Sequence, residues 1–120
     1  MKQTSSATAM YRGDYDDRMP LADWMTSLTP FIKNQELLEC PQVIKDGKHF
    51  GYALKLGVVG MNTLEVKDHE TTVMFFETDA LGESVIANLA ARCARHSKDG
   101  SIVTYLDTRA RFVKLDAPLK

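Results

Sequence analysis

Residues 71–111 read TTVMFFETDALGESVIANLAARCARHSKDGSIVTYLDTRAR, and the character of the chain changes twice along them. The opening TTVMFFE (71–77) is rich in β-branched and aromatic residues, which suits a strand. Leu81, Val85, Ile86, Leu89 and Cys93 then recur at three- and four-residue steps. That spacing predicts a helix over roughly 80–97. Thr78 or Asp79 stands where an N-cap is needed, and Arg95, His96 and Lys98 suit the negative end of the helix dipole, with Gly100 to close it. SIVTYLD (101–107) and RFVKL (111–115) return to strand character, as a bent pair or one bulged strand. Strands and a helix in this order make the fold class α+β.

Upstream, Val43-Ile44-Lys45 reads as a short strand, and Asp46-Gly47 directly after it is a hairpin turn signal. In the strand that follows, Phe50, Tyr52, Leu54, Leu56 and Val58 share one parity and are expected to face the core. His49, Gly51, Ala53, Lys55 and Gly57 share the other, a bare face that another backbone, a helix or a flat ligand can approach closely. Pro20 suits a first helical turn, and Leu21, Trp24, Met25 and Leu28 give it an apolar stripe that ends near Pro30. Trp24 on that stripe is read as core, or as a lid on the core, ahead of a ligand-stacking platform. Residues 1–18 carry only two tyrosines and two methionines among their large side chains. This is too little apolar surface to offset the entropy of ordering, so a flexible N-terminal arm (1–18) and a single α+β domain (19–120) are expected. The arm contains Arg12-Gly13-Asp14, an adhesion tripeptide too short to be informative without a secretion signal.

With 120 residues, 44% hydrophobic and 26% charged, the chain has the length and composition of one globular core. Fifteen basic and sixteen acidic residues sum to a formal charge of -1, so any nucleic-acid contact must come from a local patch and not a global field. Cys40 and Cys93 lie far apart without metal or redox spacing, and both are read as reduced thiols, Cys93 as a small hydrophobe on the helix. No signal-like leader and no membrane-length apolar run is present, and the expected location is the cytoplasm, that of a host cell included.

No catalytic constellation stands out. Gly57-Val58-Val59-Gly60 lacks the helix that would turn its amides towards a phosphate, and His69-Glu70 lacks a second histidine four residues on. His49, His69 and His96 belong to three different elements. The reading is therefore a non-catalytic binding module with no cofactor, no metal and no catalytic residue assigned. Tyr105, Arg109 and Arg111 share a parity if the strand runs on without a bulge, and Lys55 lies on the bare face. An aromatic plane beside cations suits single-stranded DNA or RNA, since bases stack on rings while guanidinium groups hold phosphates. A solvated edge strand whose charges prevent aggregation fits the same residues equally well.

The run TTVMFFE, a helix, then GSIVTYLDTRAR resembles, over about a third of the chain, the corresponding part of bacterial-type single-stranded DNA-binding proteins. The resemblance implies an OB-like barrel of mainly antiparallel strands that grips single strands, often as a homo-oligomer. The alternative is a protein-interaction or inhibitor protein, of the kind carried by phages and plasmids, docking on a larger complex through a sheet edge and the arm.

Overall fold

The computed structural model describes residues 2–32, 35–94, 100–115 and 119. Among these residues three α-helices, α1 (Lys2–Asp14), α2 (Trp24–Leu28) and α3 (Pro41–Lys45), precede five strands, β1 (Tyr52–Lys55), β2 (Val73–Glu77), β3 (Ile86–Ala87), β4 (Gly100–Tyr105) and β5 (Ala110–Lys114). The strands form one open sheet in the order β3-β1-β2-β4-β5. Three of its pairings are antiparallel and the β1–β3 pair is parallel, so the sheet is mixed, with β3 and β5 at its edges.

Both faces of the sheet are covered. Tyr52, Leu54, Met74, Phe75 and Leu106 meet Trp24, Met25 and Leu28 of α2, with Ala7 and Tyr11 of α1, in the larger cluster. Ala53, Val73, Phe76, Val103 and Tyr105 form the smaller one, against Val85, Ala87, Leu89 and Val113. Strict alternation would put Val73 on the side of Phe75, but the β2–β4 register slips between these two residues. The extra residue of this bulge moves Val73 to the face of Phe76 and lets Met74 and Phe75 both enter the larger core.

Besides Leu56, which was expected on the core face of a strand but stands exposed in a 3-10 turn (Leu56–Val58) after β1 ends, four expectations from the sequence need correction. The helix over 80–97 does not form in its described part, residues 80–94; Arg95, His96 and Lys98 lie outside the described residues. Tertiary hydrogen bonds take this backbone instead. The Val85 carbonyl accepts from Leu54 N–H (2.9 Å) and from the Trp24 indole N–H (3.0 Å), while Ser84 Oγ accepts from Met25 N–H (3.1 Å). Ser84 sits at φ 52°, outside the helical region. Thr78, expected as a cap, donates its hydroxyl to Ala91 O (3.0 Å).

The second correction concerns residues 43–47. Val43, Ile44 and Lys45 belong to α3 and not to a strand, and Pro41 opens that helix. Gly47 at φ 78° ends it: Lys48 N–H reaches Val43 O (3.0 Å) and Gly47 N–H reaches Ile44 O (3.0 Å). This is the Schellman pattern, which asks for the same left-handed glycine as a hairpin turn. The third is the short N-terminal helix: α2 spans only Trp24–Leu28, and Leu21 stands outside it and exposed, although Trp24, Met25 and Leu28 are buried as expected.

The fourth is the arm. Residues 2–14 form α1, whose Thr4, Ala7, Thr8 and Tyr11 are buried at helical spacing. Hydroxyls stand where large apolar groups were looked for. Thr8 Oγ1 donates to Thr4 O (2.9 Å), Thr4 Oγ1 donates to Leu37 O (3.2 Å), and Arg12 donates to Leu106 O (2.9 Å). Ser and Thr lower a hydropathy profile yet bury readily once their hydroxyls find carbonyls.

Candidate binding surface at the β4–β5 hairpin

The segment from Tyr105 to Arg111 turns β4 into β5. Tyr105 N–H donates to Arg109 O (3.0 Å), Thr108 N–H donates to Tyr105 O (2.8 Å), and Thr108 takes φ 74° to close the turn. Asp107 holds the turn from inside, accepting Arg109 N–H at Oδ1 (3.1 Å) and the Arg109 guanidinium at Oδ2 (2.5 Å). The same guanidinium donates to Glu70 O (3.0 Å) and lies 5.9 Å from the Tyr105 ring centre. Thr108, Arg109, Ala110 and Arg111 line a surface pocket of about 360 Å³.

All four residues singled out in the sequence fall on one face of the sheet. Arg111 is the cross-strand partner of Val103, and Tyr105 that of Val73, both in the smaller cluster. Lys55 shares the parity of Ala53, from the same cluster. Their surroundings differ. Arg111 is exposed, whereas Tyr105 is only 8% exposed and its ring is covered by Arg109. Lys55 stands two strands from Tyr105 and three from Arg111, so about 10 and 14 Å separate their strands.

Partial burial lowers the Lys55 pKa below its ordinary value. The unfolded chain then holds this proton more tightly than the folded one, so the charged lysine is a penalty at neutral pH. That penalty fades as pH rises through the folded pKa towards the unfolded one. Replacing Lys55 with methionine, which keeps the stem and removes the charge, is expected to raise the thermal midpoint at pH 7 and to abolish the parent's relative gain in alkali. Melts across pH 7 to 11 check it; parallel curves for the two proteins would contradict it.

The edge strand weighed for these residues in the sequence is what β5 forms, but Phe112 on it was not singled out. Its Phe112 is 49% exposed, and Leu115 just beyond is exposed too. The Tyr105–Arg109 bond sets the alternation of the ladder, which places Arg111 and Val113 in hydrogen-bonded pairs. The N–H and C=O groups of Ala110, Phe112 and Lys114 therefore point away from β4. Nothing in RFVKL announces this orientation, because register is a property of the sheet and not of the strand.

Among the described residues no cluster of three His, Cys, Asp or Glu side chains is arranged to hold a metal ion, and no helix is long and apolar enough to cross a membrane. Compared with protein-family models, curated proteins and solved structures, the chain matches none.

Proposed function

We propose that this chain is a non-catalytic docking protein that receives an extended, acidic segment of a partner protein as an added strand along β5. The observation that carries the reading is Phe112, where an exposed aromatic ring and an outward-facing backbone pair coincide on an edge strand. Main-chain hydrogen bonds to a free edge supply affinity in such complexes, and side chains on alternate positions supply specificity. Lys114 lies on the face of Phe112 and Arg111 on the opposite face, and charges that discourage indiscriminate edge pairing also favour an acidic guest.

A second reading, single-stranded DNA or RNA, is favoured by the shared face of Lys55, Arg109 and Arg111 and by the pocket between the two arginines. It is the partner that the likeness to single-stranded DNA-binding proteins implies, with an OB-like barrel and a homo-oligomer, although the helix that likeness counts on does not form over 80–94 and the sheet stands open. With Tyr105 covered, this reading rests on phosphate contacts more than on stacking.

One experiment separates the two. A displayed random peptide library is selected on the parent protein and on a Phe112→Asp variant shown to be folded, and a labelled oligothymidine is titrated at several salt concentrations. Docking predicts enrichment of acidic, extended peptides whose affinity falls at least about tenfold in the variant, a loss of about 1.4 kcal/mol. Oligothymidine affinity that drops steeply with salt, and a shallower slope for Arg111→Ala, would replace this reading with the nucleic-acid one.

A further inference from the structure

A second pocket, of about 350 Å³, opens on another part of the molecule, where α1 ends; Tyr15, Asp14, Asp16, Arg18 and Leu21 stand around it, with Tyr11 behind. Its walls are fixed by backbone. Asp17 N–H donates to Arg12 O (2.8 Å), Met19 N–H to Met61 O (2.9 Å), and Gly60 N–H to Pro20 O (2.9 Å), with a bridge between Arg18 and Asn62. The Tyr15 ring stacks on Tyr11 with centres 4.2 Å apart and leaves much of its surface exposed. Leu21 is exposed beside it.

The charges around this pocket are unusual for their position. Asp14 and Asp16 sit at the C-terminal end of a 13-residue helix, where the unpaired carbonyls favour cations and disfavour carboxylates. Among the described residues neither is in an ion pair, and the Arg18 guanidinium makes only a long contact to Gly60 O (3.4 Å). Two unpaired carboxylates, one unpaired guanidinium and an apolar wall therefore border a cavity of a size that suits a small ligand.

A simple cation meets Arg18 there, and a simple anion meets Asp14 and Asp16; a molecule carrying both charges satisfies all three. We infer that this pocket binds a small zwitterion of the α-amino-acid class with an apolar or aromatic side chain. The ammonium group faces the aspartates and offsets the helix end, the carboxylate faces Arg18, and the side chain lies against Tyr15 and Leu21. The site shares no residue with β5, so it stands or falls independently of the docking reading.

The test uses the full chain, labelled with nitrogen-15, and three probes: L-phenylalanine, its N-acetyl derivative without the ammonium group, and its amide without the carboxylate. Saturable shifts of the amide signals of residues 14–18 and 60 are expected with L-phenylalanine, together with at least about tenfold weaker binding of either blocked probe. Arg18→Gln, at an exposed side chain, should remove the preference for L-phenylalanine over its amide while leaving the rest of the spectrum in place. Shifts that do not saturate in the millimolar range, that map elsewhere, or that are equal for all three probes would overturn the assignment.

Discussion

Trp24→Ala is expected to destabilise the protein by about 3–5 kcal/mol, the range for removing a large aromatic side chain from a core. Trp24 is fully buried, packs edge-on against Phe75 with ring centres 4.9 Å apart, and ties α2 to residue 85 through its indole N–H. Loss of the hydrogen bond is the smaller part, because Val85 O keeps the bond from Leu54 N–H. A Trp24→Phe variant should separate the two contributions, keeping most of the packing and losing about 1 kcal/mol for the bond. Since the chain has one tryptophan, the measurement is denaturant unfolding followed by far-ultraviolet circular dichroism and not by fluorescence. A loss under about 1 kcal/mol for alanine would place the indole outside a close-packed core.

Removing residues 1–14 is expected to lower the thermal midpoint by roughly 10 °C or more, equivalent to about 2–3 kcal/mol for a domain of this size. The deletion strips Tyr11 and Ala7 from the larger core, removes the edge contact of Tyr11 with Phe31, and frees the Leu37 and Leu106 carbonyls from their side-chain donors. The point variant Tyr11→Ala keeps the helix and tests the same packing if the shortened chain does not fold. A midpoint unchanged in both proteins would show that α1 lies off the core and would restore the mobile-arm expectation.

The two predictions draw on residues that the sequence treated unequally. Trp24 was legible as core because it shares a stripe with Met25 and Leu28, and a buried tryptophan needs only an apolar neighbourhood and one acceptor. Tyr11 was not, because its partners along α1 are threonine, serine and alanine. At the candidate surface, the sequence put Tyr105, Arg109 and Arg111 on one side only if a strand ran on unbroken; the chain instead turns between β4 and β5, and it is the hairpin that keeps all three on one face. Their accessibility could not: the burial of Tyr105 follows from its place beside Val73 and beneath Arg109. Phe112 and the pocket around Arg18 were not singled out: the pocket is lined by residues between 11 and 21 with Gly60, and its shape depends on α1, which the sequence did not predict.

The α+β class, the strand character of β1, β2, β4 and β5, and the burial of Tyr52, Leu54 and Trp24 were set by the sequence. These follow from β-branched and aromatic runs whose side chains need a pleated, half-buried surface wherever the strand lies. Tertiary structure alone decided that residues 85–87 extend along β1, that Asp46-Gly47 ends a helix, that residues 2–14 are helical, and that Phe112 stays exposed on the edge strand. Local preferences differ by only tenths of a kcal/mol per residue. The hydrogen bonds of Val85 to Leu54 and Trp24, and the packing of Tyr11 against Phe31, outweigh them, and such contacts exist only after distant segments have met.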